Sequence, residues 1–225
     1  MTRPVALVTG GSRGIGRAIA EALSPSHHLL VGGRDATAVA DVVAGLESAD
    51  PFLVDLTDEA ALTHAVAGIG RLDVLVHSAG VVAYGPLADS TAAEWTEVLA
   101  VNVIAPAVVT RLLLPALRAA GGLVVFVNSG AGLRAAPGWS AYAASKFALT
   151  ALADALRAEE HGRVRITSLH PGRVATDMQA RLNELEGRSY DPSKYLDPAD
   201  VARAVRLAVD LPPGSSLETL RISPA

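Results

Sequence analysis

The 225-residue sequence predicts an α/β fold, a three-layer, doubly wound arrangement around a mainly parallel seven-stranded sheet. Three observations carry that expectation. Short apolar runs alternate with helical patterns throughout, and neither an internal repeat nor a low-complexity linker interrupts them. A glycine-rich turn separates the first apolar run from the first helical pattern. With 50% hydrophobic residues the chain can bury one sizeable core, so a single domain over residues 1–225 is expected.

The first strand is read at Val5–Val8, followed by Thr9-Gly-Gly-Ser-Arg-Gly-Ile-Gly16 and a helix beginning near Arg17. His28–Val31 reads as the second strand, Asp35–Leu46 as a helix and Phe52–Val54 as the third strand. Thr57, with Asp58 and Glu59 behind it, is the expected cap of a helix to about Ile69. Val74–Val76 supplies the fourth strand, Thr91–Arg118 a long helix, Leu123–Val127 the fifth strand and Ser140–Glu160 a second long helix. Val164–Leu169, Pro198–Leu211 and Leu217–Ile222 complete the alternation as strand, helix and strand, with a short lid at about 177–197. Alternation of this kind requires right-handed crossovers, which cover both sheet faces with helices and gather active groups at the carboxyl ends of the strands.

Composition removes several classes of function. A formal net charge of −4 with no basic tract argues against nucleic acid or an acidic membrane as partner. Zero cysteines exclude disulfides, thiol catalysis and thiolate metal sites. The six histidines show no paired ligand spacing beyond the adjacent His27-His28, so no metal is expected. The first strand begins at once and leaves no room for a signal peptide, so a cytoplasmic location is expected. The most apolar stretch, Val98–Leu117, is broken by Asn102, Arg111, Pro106 and Pro115 and is expected to be buried by the core and a neighbouring subunit rather than by lipid.

Chemistry concentrates in two places. Tyr142 and Lys146 are four residues apart within a helical pattern, which places both on one helix face. A phenol ionises near pKa ~10, and an ammonium beside it favours the phenolate, so the pair reads as a proton donor beside its electrostatic tuner. The second place is the turn between the first strand and helix. Its glycines allow close backbone approach to a diphosphate, and the amides at the helix start face that charge.

Ser129, at the end of the fifth strand, and Asn102, in the long apolar helix, complete a set. With Thr9, Gly10, Gly14 and Gly16 matching Thr-Gly-x-x-x-Gly-x-Gly, and Tyr142 and Lys146 matching Tyr-x-x-x-Lys, the chain resembles the short-chain dehydrogenase/reductase family in its compact single-domain form. The four motifs stand in the family's order and cover most of the chain. One departs from the pattern: His77-Ser78-Ala79-Gly80 replaces the usual Asn-Asn-Ala-Gly, with Ser78 still offering a hydroxyl and Ala79 and Gly80 still permitting close approach of a cofactor.

The resemblance implies a Rossmann fold and hydride transfer between a nicotinamide and a carbonyl carbon, with Asn102, Ser129, Tyr142 and Lys146 as the catalytic set. Tyr142 would donate the proton, Ser129 hold the carbonyl oxygen, and Lys146 lower the phenol's pKa and bind ribose hydroxyls. Asn102 would hold a water that continues the proton path. The implied cofactor contacts are Gly10, Ser12, Arg13, Gly14, Ile15 and Gly16 in the turn, Asp55 and Leu56 at the adenine, Ser78, Ala79 and Gly80, then Tyr142 and Lys146, and finally Pro171, Gly172, Val174 and Thr176 at the carboxamide.

At the end of the second strand Gly32-Gly33-Arg34 stands where an NAD-selective site carries a carboxylate. Arg34 and Arg13 can fork onto a 2′-phosphate, so NADP(H) is the preferred cofactor and NAD(H) the alternative, with Asp35 close enough to read a ribose instead. His170 is expected to be structural. Leu133 and Trp139, with Val82, Tyr84 and Met178, are the candidate walls of a pocket for apolar ketones or aldehydes, and a homodimer or homotetramer built on the long helices is expected. Two further readings share the motifs: an acyl-carrier-bound ketoacyl reductase, which needs a basic entrance that the sequence does not show, and a nucleotide-sensing regulator without turnover, which the complete catalytic set disfavours.

Overall fold

In the computed structural model, residues 3–212 and 214–225 are described, so Met1, Thr2 and Pro213 of the expected domain lie outside them. The first half runs β1 (Val5–Thr9), α1 (Gly14–Leu23), β2 (His28–Gly33), α2 (Ala36–Ala44), β3 (Ala49–Leu53), α3 (Glu59–Val66) and β4 (Val74–His77). The second half runs α4 (Ala92–Leu99), α5 (Ala105–Ala120), β5 (Leu123–Val127), α6 (Ser140–Glu159), β6 (Arg165–Pro171), α7 (Asp177–Leu185), α8 (Pro198–Val209) and β7 (Thr219–Ile222). The seven strands form one sheet in the order β3-β2-β1-β4-β5-β6-β7, and every pairing is parallel.

Period-two alternation along the central strands builds the three layers. In β1, Ala6 and Val8 join one core cluster with Ile19 and Leu23 of α1 and Val201 and Val205 of α8. Leu7 between them faces the other cluster, with Leu62 of α3, Leu113 and Leu117 of α5 and Leu149 of α6. Strands β4 and β5 alternate in the same way, Leu75, Val124 and Phe126 turning to the second face while Val74, Val76, Leu123 and Val125 turn to the first. Both faces being covered, these strands read as continuous apolar runs.

Several element ends differ from the expectations, among them those of α1, α3 and β3. Helix α1 begins at Gly14, so the glycine turn itself supplies the first helical residue. The cap of α3 is Asp58, whose side chain accepts from the Ala61 amide; Thr57 instead donates its amide and hydroxyl to Asp55. Strand β3 starts at Ala49 and includes Asp50 and Pro51. Proline there has a physical licence, because β3 is an edge strand and its outer side needs no amide.

The long helix is present as one run, Ala92–Ala120, but not as uniform α-helix. A capping box between Thr91 and Glu94 starts α4. A π-helical turn over Ala100–Ile104, in which the Ala105 amide reaches back to the Ala100 carbonyl, joins it to α5 and carries Asn102. Pro106 has no N–H to give the Asn102 carbonyl at the usual α-helical interval, so a proline two residues into α5 accounts for the disturbed ladder.

Candidate active site

The sheet order reverses between β1 and β4, since β1 passes to β2 on one side and pairs with β4 on the other. A crevice at the carboxyl ends of the strands follows from that topology. Thr9, the last residue of β1, closes its floor: its hydroxyl accepts from the Ser78 and Ala79 amides at 3.1 and 3.3 Å and donates to the Val76 carbonyl. Gly10 lies against the same backbone, with φ +64, and a methyl added to it would fall 2.8 Å from the Ala79 Cα.

Above that floor the turn enters α1. Gly14 also has positive φ, and a methyl on Gly16 would come 2.1 Å from the Gly10 carbonyl oxygen, so the first helical turn lies directly on the loop. The N-cap is Arg13, and no side chain caps the first amides, unlike those of α2, α3, α4, α7 and α8. Open amides, helix dipole and a cradle without Cβ atoms together fit a diphosphate group. Ser12, Arg13 and Ile15 lie in this turn and at the start of α1.

Four side chains meet beyond β4 and β5. Ser129 follows the end of β5; its Oγ accepts the Ala131 amide at 3.1 Å, and its hydroxyl lies close enough to the Tyr142 phenol to favour the phenolate. Lys146 is 5% exposed, donates to the Val127 carbonyl at 3.2 Å and holds its Nζ 5.7 Å from the centre of the Tyr142 ring. A methyl on Gly80 would lie 3.3 Å from Asn102 Oδ1 and 4.0 Å from Lys146 Nζ, which places Gly80 at the same point. Burial pushes the Lys146 ammonium down to about 8, with no carboxylate among the described residues opposing the shift.

The phenol departs from expectation. Burial raises the Tyr142 pKa above its ordinary value, and the opposing influence is the Ser129 hydroxyl rather than Lys146. Asn102 departs too. Its Nδ2 donates to the Val81 carbonyl at 2.9 Å and to Ser145 Oγ at 3.0 Å, and its Oδ1 accepts the Val81 amide at 2.9 Å. Both amide hydrogens are therefore committed to protein, and what the π-turn leaves for a water is the backbone carbonyl opposite Pro106.

The rim beside β2 is basic. Arg34 is exposed and only 3.7 Å from Asp55, and Arg13 makes no ion pair among the described residues. Asp35 turns to the helix: its Oδ1 accepts from the Thr37 and Ala38 amides and caps α2. Asp55 accepts the amide and hydroxyl of Thr57, which holds it below the usual carboxylate range, and Leu56 lies within that turn. On the opposite rim Pro171 ends β6, the Gly172 amide donates to Ile222, and Val174 bridges Leu196. The Thr176 methyl would sit 3.3 Å from a methyl placed on Gly14, so this segment closes onto the glycine turn.

Tyr84, Trp139 and Tyr142 form an aromatic run with edge-on contacts at 5.4 and 5.6 Å. A cavity of about 300 Å³ lies beside it, lined by Tyr84, Leu87, Asp89, Glu94, Gly138 and Ala141. Leu133 and Met178 are exposed and Val82 half-buried. The substituted His77 points away from the site: it stacks on Phe126 at 5.0 Å, meets Thr110 at 2.8 Å and is held neutral by burial, its pKa pushed down to about 3. The loss of the usual asparagine is thus absorbed by the core.

Sequence reasoning missed several supporting groups. Ser145 links Asn102 to the Tyr142 carbonyl, to which its hydroxyl donates at 2.7 Å. His170, expected to be structural, is closely engaged: its Nδ1 donates to the Ser129 carbonyl at 2.9 Å, which leaves Nε2 to accept from Ser168. Only Ser145, one residue before Lys146, lay in a quoted motif; the others are joined by folding alone.

Residues 4–187 match the short chain dehydrogenase family profile. The chain is 34% identical to the short-chain type dehydrogenase/reductase y4eK of Sinorhizobium fredii over 98% of its own length and 91% of the relative's. It is also 34% identical to glycine betaine reductase ATRR of Emericella nidulans, again over 98% of this chain but spanning only 18% of that longer protein. An alcohol dehydrogenase from the archaeon Thermococcus sibiricus, solved with 5-hydroxy-NADP, superimposes with a TM-score of 0.89 at 26% identity, covering 99% of this chain and 97% of the other.

Proposed function

The chain belongs to the short-chain dehydrogenase/reductase family, and from that premise we propose that this NAD(P)-dependent oxidoreductase uses NADP(H) to interconvert a ketone or aldehyde and its alcohol, with Tyr142 as general acid and base. The observation that carries the proposal is the meeting of Ser129, Tyr142 and Lys146 beside the crevice at the strand-order reversal. NADP(H), when bound, supplies or accepts the hydride.

The chain's own residues divide the remaining work. The open amides of α1 and the turn Gly10–Gly16 hold the diphosphate, and Arg13 and Arg34 take the 2′-phosphate. The engagement of Asp35 Oδ1 as a helix cap supports that preference, because it ties the carboxylate that would select a free ribose to α2. Asp55 and Leu56 bound the adenine end. Ser78, Ala79 and Gly80 line the floor, and Pro171, Gly172, Val174 and Thr176 close the nicotinamide end.

At the reacting carbonyl, Ser129 orients the oxygen and Tyr142 delivers the proton to the developing alkoxide. A phenol raised by burial stays protonated through neutral pH, which suits the reductive direction. Lys146 contributes positive charge at the same point and donors for ribose hydroxyls. Asn102 ties the loop after β4 to α6 through Val81 and Ser145, and its backbone carbonyl is the station for a water in the proton path.

We assign the substrate to small apolar carbonyls, with Leu133, Trp139, Val82, Tyr84 and Met178 as walls. Asp89 and Glu94 on the adjoining cavity are unfavourable to an acidic carrier protein. A cytoplasmic homodimer or homotetramer completes the proposal. A panel of ketones and aldehydes offered with NADPH and NADH tests it. NADPH oxidation is expected with at least one apolar carbonyl, and Arg34→Asp is expected to shift the NADPH/NADH ratio of kcat/KM towards NADH at least tenfold. Unchanged selectivity contradicts the role of Arg34.

A further inference from the structure

Arg173 follows Pro171-Gly172 and touches three parts of the molecule at once. Its Nη1 and Nη2 donate to the two Glu186 oxygens at 2.7 and 2.5 Å, and the Glu186 side chain, just beyond α7, is only 5% exposed. Its guanidinium lies over the Trp139 ring, 5.8 Å from the centroid. Its carbonyl accepts the Leu196 amide at 2.9 Å, while the Ala175 amide donates to the Leu196 carbonyl. Both backbone and side chain are thus fastened to the lid.

The lid end that holds Glu186 is itself rigidly bonded. Gln179 donates to Asn183, and Asn183 donates to the Ser189 carbonyl and to Tyr195, all within 2.8 Å. Trp139 sits at the start of α6 with its indole edge-on to Tyr142, three residues ahead of it. A continuous line of contacts therefore runs from Glu186 through Arg173 and Trp139 to the phenol.

We propose that Arg173 is a positioning residue: pinned by Glu186, its guanidinium holds the Trp139 indole against Tyr142 and fixes the phenol where the carbonyl oxygen binds. The inference rests on the proposed role of Tyr142 as proton donor. A bidentate fork and a planar face are both needed, and lysine supplies neither. The charged and titratable groups facing Tyr142 are Lys146 on its own helix and Arg173 across Trp139. Tyr84 lies on the far side of the indole, and His170 reaches the phenol only through Ser129. Trp139 supplies part of the burial that keeps the phenol protonated, so releasing it admits water and returns the phenol towards its ordinary pKa.

The test uses Arg173→Met and Arg173→Lys, with Glu186→Gln as a second route that keeps the arginine. In a Trp95→Phe background, acrylamide quenching reports Trp139 alone. In protein labelled with carbon-13 at the tyrosine ζ position, the Tyr142 titration is identified by its loss in Tyr142→Phe. Both Arg173 variants are expected to double the quenching constant or more, lower the Tyr142 midpoint by about half a unit or more, and reduce kcat about tenfold with NADPH affinity unchanged. Glu186→Gln is expected to move all three in the same direction by less. Unchanged quenching, a stationary Tyr142 midpoint, or full rescue by lysine overturns the inference. The two spectroscopic readouts need neither cofactor nor substrate, so their failure is distinct from an absence of carbonyl reduction, which overturns the proposed function.

Discussion

In the proposed mechanism the chemistry turns on Lys146, a buried cation with one backbone carbonyl as its hydrogen-bond partner among the described residues. Its pKa is depressed to about 8, so it carries its proton at neutral pH and loses it as the pH rises through that value. Tyr142 is shifted the other way and remains protonated there. The alkaline limb of carbonyl reduction therefore belongs to the lysine: kcat/KM is expected to fall with an apparent midpoint near 8. A rate that stays level to about pH 10 would contradict the assignment. The Tyr-Lys spacing was legible because four residues of helix bring two side chains to one face. That burial, rather than the ammonium, dominates the phenol was not legible, since it depends on how the fold closes around the ring, with Ser129 brought in from the end of β5 to oppose the shift.

At the scale of elements, the glycine turn and α1 act as one unit. A methyl on Gly16 would penetrate to 2.1 Å from the Gly10 carbonyl, a backbone atom held in place by β1, so the loop and helix must separate to accept it. Gly16→Ala is expected to destabilise the protein by about 3 kcal/mol and to weaken NADPH binding more than tenfold, read by urea unfolding and by fluorescence titration. An alanine variant with parental stability and affinity would show that the helix start is not set by that contact. Local spacing made this turn readable, as it did the strands with unbroken apolar runs. Strand β3 was half hidden because Asp50 and Pro51 do not look like a strand interior; only its edge position admits them. The cap of α3 fell on Asp58 because Thr57 was drawn to Asp55, a competition between neighbouring polar residues that spacing alone does not decide. The fork between Arg173 and Glu186 joins the loop after β6 to the end of α7 and left no signature in either segment.

At the scale of the whole molecule, the run Ala92–Ala120 is long and apolar enough by composition to cross a membrane, yet its inner face packs on β4, α3 and α6 and carries the buried Asn102. Its outward Ile104 and, on α6, Phe147 are exposed. We expect them at the contact between subunits, so that Ile104→Glu with Phe147→Glu lowers the mass seen by light scattering to that of one chain. A monomeric parent protein at micromolar concentration would contradict this. In the proposed mechanism the three-layer fold, the crevice and the serine, tyrosine and lysine around it serve one end, delivery of a proton to a carbonyl oxygen as hydride reaches its carbon. Tyr142→Phe removes that proton with the ring and its Trp139 contact kept. Turnover of the best carbonyl in the panel with NADPH should then drop at least a thousandfold while NADPH affinity stays within about twofold. Near-parental turnover in the phenylalanine variant would contradict the account.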